Sequence, residues 1–169
     1  MTAAQPHPAI RAAVLTASDR CARGESTDIS GPAIAEMLRT RLGAQVIATL
    51  CLLDDLEALA AQFAAWSRPD AKIDLIVSTG GTGLSPRDVT PEAAMRVIDR
   101  PHQSLMELAR MRCYSTTPKA YLSRGVSGAA NQTLILTLPG SPQGACDQLE
   151  ALLDVLPHAL EVLRGGGPH

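Results

Sequence analysis

Four short apolar runs alternate along the chain with longer stretches whose apolar residues recur at helical spacing. RAAVLTAS (Arg11–Ser18), QVIATLCLL (Gln45–Leu53), IDLIVS (Ile73–Ser78) and TLILTL (Thr133–Leu138) read as strands. IDLIVS is apolar apart from Asp74 and Ser78, as suits a strand covered on both faces. Between the first two runs, Ser30, Gly31 and Pro32 open a helix, with proline near the first turn where its missing N–H costs little. Ile34, Met37, Leu38, Arg41 and Leu42 share one face of that helix, and Gly43 supplies the stop. Asp55 begins an alanine-rich helix that reaches Ser67 and is ended by Pro69. Thr90 is predicted to cap a helix with Pro91 at its first position, and another helix is predicted over Ser104–Arg112. The region Pro142–Arg164 carries a helical apolar stripe of Leu149, Leu152, Leu153, Leu156, Leu160 and Leu163, which Pro157 is expected to kink or split. This alternation predicts an α/β fold with a mostly parallel sheet.

The chain's 169 residues suit one domain, expected over residues 10–165, with short tails at 1–9 and 166–169. With 46% hydrophobic residues but one Phe, one Trp and two Tyr, the core must be built of aliphatic side chains. Scarce aromatics and a formal net charge of −2 argue against a nucleic-acid partner. Cys21, Cys51, Cys113 and Cys146 are widely spaced, which reads as reduced thiols of a cytoplasmic protein and not as a zinc site. The first ten residues lack a basic stretch followed by an apolar one, so no secretory leader is expected, and no apolar run approaches a membrane span.

Two loops, each leaving a predicted strand and entering a helix, are the candidate ligand loops. In Thr79-Gly80-Gly81-Thr82-Gly83, the glycines permit positive φ and close backbone approach, and successive N–H groups can form an anion nest for a polyphosphate. The same residues can also make a tight turn with no ligand. In Pro139-Gly140-Ser141-Pro142, Ser141 either caps the last helix or also donates to a ligand there. Asp19, Asp54 and Asp88 all fall near the carboxyl ends of strands. Asp54 and Asp88 suit Mg²⁺, which takes one or two carboxylates plus substrate phosphates. Asp19 can instead order its own loop, and Asp55 can cap its helix. Arg87 faces a choice between phosphate and a nearby carboxylate. Lys119 and Arg124 are further candidate phosphate partners, although Lys119 can equally belong to a solvated face. No serine has the setting of a hydrolase nucleophile, and the histidines have no triad partners.

SDRCARGESTDISGPAIAEML, STGGTGLSPRDVTPEA and LILTLPGSPQGACDQLEALLDVLPHALEVL resemble, in order and spacing, the molybdopterin adenylyltransferase family of the Mog/MoaB type. That family includes the G domains of gephyrin and of its plant counterpart. The resemblance runs from Ala12 to Gly165. It implies a three-layer α/β/α sandwich around a mixed sheet, a homotrimer, and binding of molybdopterin and Mg-ATP. The implied reaction is attack of the molybdopterin phosphate on the α-phosphorus of ATP, with release of pyrophosphate and hand-over of the product to the molybdenum-insertion protein. By position, Asp54 and Asp88 resemble the catalytic, magnesium-holding pair. Thr79, Gly80, Gly81, Thr82, Gly83 and Arg87 match the ligand loop, Asp19, Ser30 and Gly31 the first-strand loop, and Pro139, Gly140 and Ser141 the second ligand loop. Arg100-Pro101-His102-Gln103 departs from the family's Pro-Gly-Phe or Pro-Gly-Met and should alter the backbone freedom and surface of that turn. The alternative reading is a molybdopterin-binding carrier or scaffold without adenylylation activity.

Overall fold

The computed structural model describes residues 9–166; apart from Ala9 and Gly166, the expected tails lie outside the described residues. The chain runs β1 (Arg11–Ala17), α1 (Asp19–Ala22), α2 (Ser30–Arg41), β2 (Gln45–Leu52), α3 (Leu56–Trp66), β3 (Leu75–Thr79), α4 (Thr90–Met95), β4 (Arg100–Pro101), α5 (Ser104–Cys113), β5 (Ser127–Ala130), β6 (Thr133–Leu138), α6 (Pro142–Glu150) and α7 (Leu156–Leu163). Single 3₁₀ turns occupy Pro69–Ala71 and Pro118–Leu122.

The strands form one six-stranded sheet in the order β2-β1-β3-β6-β5-β4. β2, β1, β3 and β6 are parallel, whereas β5 runs antiparallel to β6 and β4 antiparallel to β5. Strand side chains alternate between the two faces. Ala12, Val14, Leu75, Val77, Leu134 and Leu136 join one core with residues of α2, α5, α6 and α7. Ala13, Leu15, Ile76 and Ile135 join a second core with α3 and α4. The result is a helix–sheet–helix sandwich, and it explains why the central runs are apolar without interruption. No helix among the described residues is long and apolar enough to cross a membrane.

Several local signals act as expected. Gly43 follows α2 with φ +65°, Asp55 caps α3 by accepting from the Ala58 N–H at 2.8 Å, and Pro157 opens α7 after a turn that ends α6. Three expectations change. The third run forms its strand over Leu75–Thr79, two residues later at its start; Asp74 still bonds through its backbone to Arg11 and Leu134, while the Ile73 carbonyl accepts from the Thr133 side chain. Thr90 is not the cap of α4: Val89 holds that position and Thr90 is already helical. Two strands, β4 and β5, carry no apolar run at all, since SGAA and RP owe their extended form to pairing at the sheet edge.

The α3 core is supported by one large side chain. Phe63 is fully buried among Leu59, Ile76 and their neighbours. Phe63→Ala should lower unfolding free energy by about 3–5 kcal/mol in urea titrations, since it removes a whole buried aromatic ring from a close-packed face. A loss under about 1 kcal/mol would mean that this face is loosely packed.

Candidate functional site

Four parallel strands place their carboxyl ends on one edge, so the loops after β1, β2, β3 and β6 converge there. The chain crosses in opposite directions from β1, to β2 on one side and β3 on the other. A crevice therefore opens at this switch point.

The glycine loop fills the crevice because its residues have no room for side chains. Gly80 has φ +96°, and a Cβ there would lie 2.1 Å from the Ala17 carbonyl oxygen. Its N–H donates to the Leu138 carbonyl at 3.2 Å, which removes it from the expected anion nest. Gly81 also has positive φ, and the N–H groups of Gly81, Thr82 and Gly83 donate to no group among the described residues. Thr79 donates from Oγ1 to the Pro139 carbonyl at 2.6 Å, and Ser30 from Oγ to the Gly140 carbonyl at 2.8 Å. These bonds tie both glycine-containing loops and the first-strand loop into one wall. Ser141 caps α6 by accepting from the Gly144 N–H at 3.2 Å.

The carboxylates are arranged by backbone bonds. Asp19 Oδ1 accepts from the Asp54 N–H at 3.1 Å, and Asp54 Oδ2 accepts from the Asp19 N–H at 3.3 Å, a reciprocal pair joining the ends of β1 and β2. Asp88 Oδ2 accepts from the Ser85 N–H at 2.9 Å and packs on Gly83. Arg87 pairs with Asp19 at an exposed position, the carboxylate among its two expected partners. Arg124 is likewise engaged. Its guanidinium donates to the carbonyls of Gly83 (2.7 Å) and Asp88 (2.6 Å) and pairs with Glu92, holding the glycine loop by its backbone. That fork geometry is what arginine offers and lysine does not.

Two oxygens beside the glycine loop are left over. Asp54 Oδ1 and Thr90 Oγ1 are buried without a hydrogen-bond partner. Both face the Cα of Gly81: a Cβ built there would sit 2.3 Å from Thr90 Oγ1 and 2.8 Å from Asp54 Oδ1. Burial, and secondarily the charge of Asp88, hold the Asp54 carboxyl above its ordinary range. Two carboxylates near enough to repel, one with an orphaned oxygen, suit a cation. Among the described residues no group of three or more His, Cys, Asp or Glu side chains could hold a metal alone, so any cation would need a ligand's oxygens as well.

Beside the loops lies a cleft of about 430 Å³, within the size range of small-molecule sites. Gly81, Thr82, Gly83, Asp88, Pro139 and Gly140 line it on the loop side. Arg100, Pro101, His102 and Gln103 are not among its lining residues; they form β4 and the entry to α5 at the far sheet edge.

Residues 13–158 match the family model described as "Probable molybdopterin binding domain". The chain belongs to this family. It is 35% identical over 156 residues to the molybdopterin adenylyltransferase of Helicobacter pylori strain J99, covering 92% of this chain and 89% of that protein. It is 36% identical to gephyrin of Dictyostelium discoideum, but spans only 22% of that longer protein. Among solved structures, the molybdopterin biosynthesis enzyme MoaB of Thermus thermophilus superposes with a TM-score of 0.86 at 44% identity, covering 92% of this chain and 97% of that one. The three-layer fold expected from the resemblance is therefore that of the molybdopterin-binding family.

Three participants escaped the sequence reading. Thr90 looked like a cap because Pro91 follows it. Asp28 accepts from Thr16 Oγ1 at 2.6 Å and from the Gly31 N–H at 3.0 Å; its place three residues before that N–H, just ahead of α2, was the available signal. Gln148 is a buried polar residue in the apolar stripe of α6, beside Leu149 and Leu152, a position where a polar side chain is informative.

Asp54 and Gly80 each give a test. A folded pKa above the unfolded value of about 3.9 means that the native state keeps its proton longer as pH rises, so wild-type stability falls through that window. Asp54→Asn lacks this loss. The variant should be more stable than wild type at pH 7 in metal-free buffer, with the gap closing near pH 4; equal urea midpoints at pH 7 would refute the desolvated state of Asp54. Gly80→Ala should destabilise by more than about 1 kcal/mol in the same titration, because neither its φ nor the Ala17 carbonyl admits a methyl group.

Proposed function

We propose that this protein is a molybdopterin adenylyltransferase of molybdenum-cofactor biosynthesis, acting on molybdopterin and Mg-ATP. The observation that carries the reading is the meeting of Asp54 Oδ1 and Thr90 Oγ1, both orphaned, over Gly81 and close to Asp88. Such a site asks for an oxygen-rich, anionic ligand together with a cation. The 35% identity to a molybdopterin adenylyltransferase along 89% of that enzyme supports the choice of substrates.

In the proposed reaction a phosphate oxygen of molybdopterin forms a bond to the α-phosphorus of ATP. The bond from that phosphorus to the β-phosphate bridging oxygen breaks, and pyrophosphate leaves. A phosphate monoester is already a nucleophile, so the protein's task is to position two anions and offset their repulsion. The N–H groups of Gly81, Thr82 and Gly83 donate to phosphate oxygens, and the Thr90 hydroxyl adds a donor. Lys119, exposed on the cleft wall, supplies positive charge. Asp54 and Asp88 would hold Mg²⁺, which when bound neutralises phosphate charge. Thr79, Ser30, Pro139, Gly140 and Ser141 keep the two ligand loops in register, while Asp19, paired with Arg87, orients Asp54. Gly31 allows α2 to start against Asp28 and Thr16. Assembly as a homotrimer, cytoplasmic location and hand-over to the molybdenum-insertion protein belong to the same proposal and rest on the family resemblance.

Purified protein incubated with molybdopterin, ATP and Mg²⁺ should release pyrophosphate and adenylylated molybdopterin in equal amounts. Asp54→Asn and Asp88→Asn should each retain molybdopterin binding while turnover falls by roughly a hundredfold or more, the scale of removing a key electrostatic group. Wild-type protein that binds molybdopterin but makes no product at saturating Mg-ATP would replace the enzyme reading with a carrier role.

A further inference from the structure

Cys21 and Cys51 come from different elements and meet beside the reciprocal pair of Asp19 and Asp54. Cys21 sits in the single turn of α1, and Cys51 is the next-to-last residue of β2. Both are free and partly buried. Ser18 joins them. Its N–H donates to the Leu52 carbonyl at 2.9 Å, which seats the end of β1 on the end of β2. Its Oγ accepts from the Cys21 N–H at 3.3 Å, and its carbonyl accepts from the Ala22 N–H at 2.9 Å. Cys51 Sγ lies 4.0 Å from that same carbonyl oxygen. The turn of α1 therefore wraps over Cys51, and the two thiols lie within hydrogen-bonding reach of each other.

The surroundings let this pair react and let one partner move. Cys51 lines a cleft of about 630 Å³ with Thr16, Asp28 and Arg39, and this cleft shares no lining residue with the one beside the glycine loop. A small reagent can enter it. Burial first, and then Cys21, Asp28 and Asp54, push the Cys51 thiol up to about 11, so it keeps its proton at neutral pH and Cys21 is the sulfur that reacts first. β2 is fixed by its pairing with β1 from Arg11 to Ala17. α1 buries none of its residues, so it is the element that yields. Asp19 opens that helix, and its N–H and Oδ1 are what Asp54 bonds to.

We propose that Cys21 and Cys51 are a reversible oxidation site, which a low-molecular-weight disulfide converts to an intramolecular disulfide that displaces Asp19 and Asp54. The Cys21 sulfur bonds to one sulfur of the reagent, the reagent's S–S bond breaks, and one thiol leaves with the Cys21 proton. The Cys51 sulfur then bonds to the Cys21 sulfur, the mixed disulfide breaks, and the second thiol leaves with the Cys51 proton. Two protein thiols are oxidised and one disulfide is reduced to two thiols. A disulfide in a protein otherwise made of reduced thiols is of the transient, redox-sensing kind. Closing the bond brings the sulfurs to about 2.0 Å, nearer than two hydrogen-bonded thiols stand. α1 is drawn onto β2, and the carboxylate pair moves with Asp19. Its consequence for turnover rests on the adenylyltransferase reading above.

The test is oxidation of the full chain in buffers of oxidised and reduced glutathione. At oxidising ratios the protein should lose two hydrogen atoms in mass, and non-reducing peptide mapping should place the bond between Cys21 and Cys51. The amide resonances of Asp19 and Asp54 should shift while that of Gly43 stays, and dithiothreitol should reverse both changes. Turnover should fall roughly tenfold or more in the oxidised form, since a misplacement of about 1 Å can cost that much. Cys21→Ser and Cys51→Ser should stay active in both buffers. Glutathione adducts alone, a bond that includes Cys113 or Cys146, or no bond at all overturns the inference. So does a Cys21–Cys51 bond that leaves the Asp19 and Asp54 amides, or turnover, unchanged. Reduced wild-type protein that makes no adenylylated product overturns the proposed function instead, and the mass and amide measurements still decide the oxidation site.

Discussion

Gly80 is where the ends of three strands meet. Its N–H closes on the last residue of β6, its α-carbon lies against the last carbonyl of β1, and Gly140 of the loop after β6 packs closely onto it, where a methyl group on Gly140 would come within 3.2 Å of the Gly80 α-carbon. The positive φ at Gly80 turns the chain sharply off β3 and brings Gly81 under Asp54 and Thr90. A side chain at this one position would separate β1 from β3 at the switch point, and the loops that form the cleft would no longer share a wall. The steric limit at Gly80 thus sets both the closure of the sheet edge and the shape of the site.

Around that turn, the polar groups follow one economy. Most are satisfied by backbone: Asp19 and Asp54 by each other's N–H groups, Asp28 by the Gly31 N–H together with the Thr16 hydroxyl, and the Arg124 fork by the carbonyls of Gly83 and Asp88. This network fixes the carboxylates before any ligand arrives, so little reorganisation is left for the reaction. Against that background the exceptions carry information. The buried side-chain atoms without partners among the described residues belong to Asp54, Thr90 and Gln148, the first two against Gly81 and the third in a residue of the cleft wall. A fold that satisfies its other polar groups this thoroughly leaves unpaired the ones a ligand can complete.

The raised pKa of Asp54 belongs to the same picture. Desolvation and the nearby Asp88 make its ionised form costly in the free protein, and a cation would remove that cost. Shifted carboxylates of this kind are common at functional positions.

Hydrophobic patterning alone located the parallel half of the sheet, because the runs Arg11–Ser18, Gln45–Leu53, Ile73–Ser78 and Thr133–Leu138 contain β1, β2, most of β3 and β6, and it located α2, α6 and α7, whose sequences carry the helical stripe. The glycine spacing marked the loop that lines the cleft, and aspartates after strands marked the charged residues, since these depend on local backbone freedom and on strand ends that the runs already locate. Pairing decided the rest. SGAA and RP become strands only because β6 offers an edge to them. Arg87 and Arg124, equally able to meet a phosphate by sequence, find carboxylates and carbonyls that the chain brings close from far away. Thr90 and Gln148 acquire their unpaired atoms from burial by distant segments. Local residue preferences are written in the sequence, but whether a polar group is paired or orphaned depends on which remote atoms fill the space around it, and that is settled only when the chain is packed.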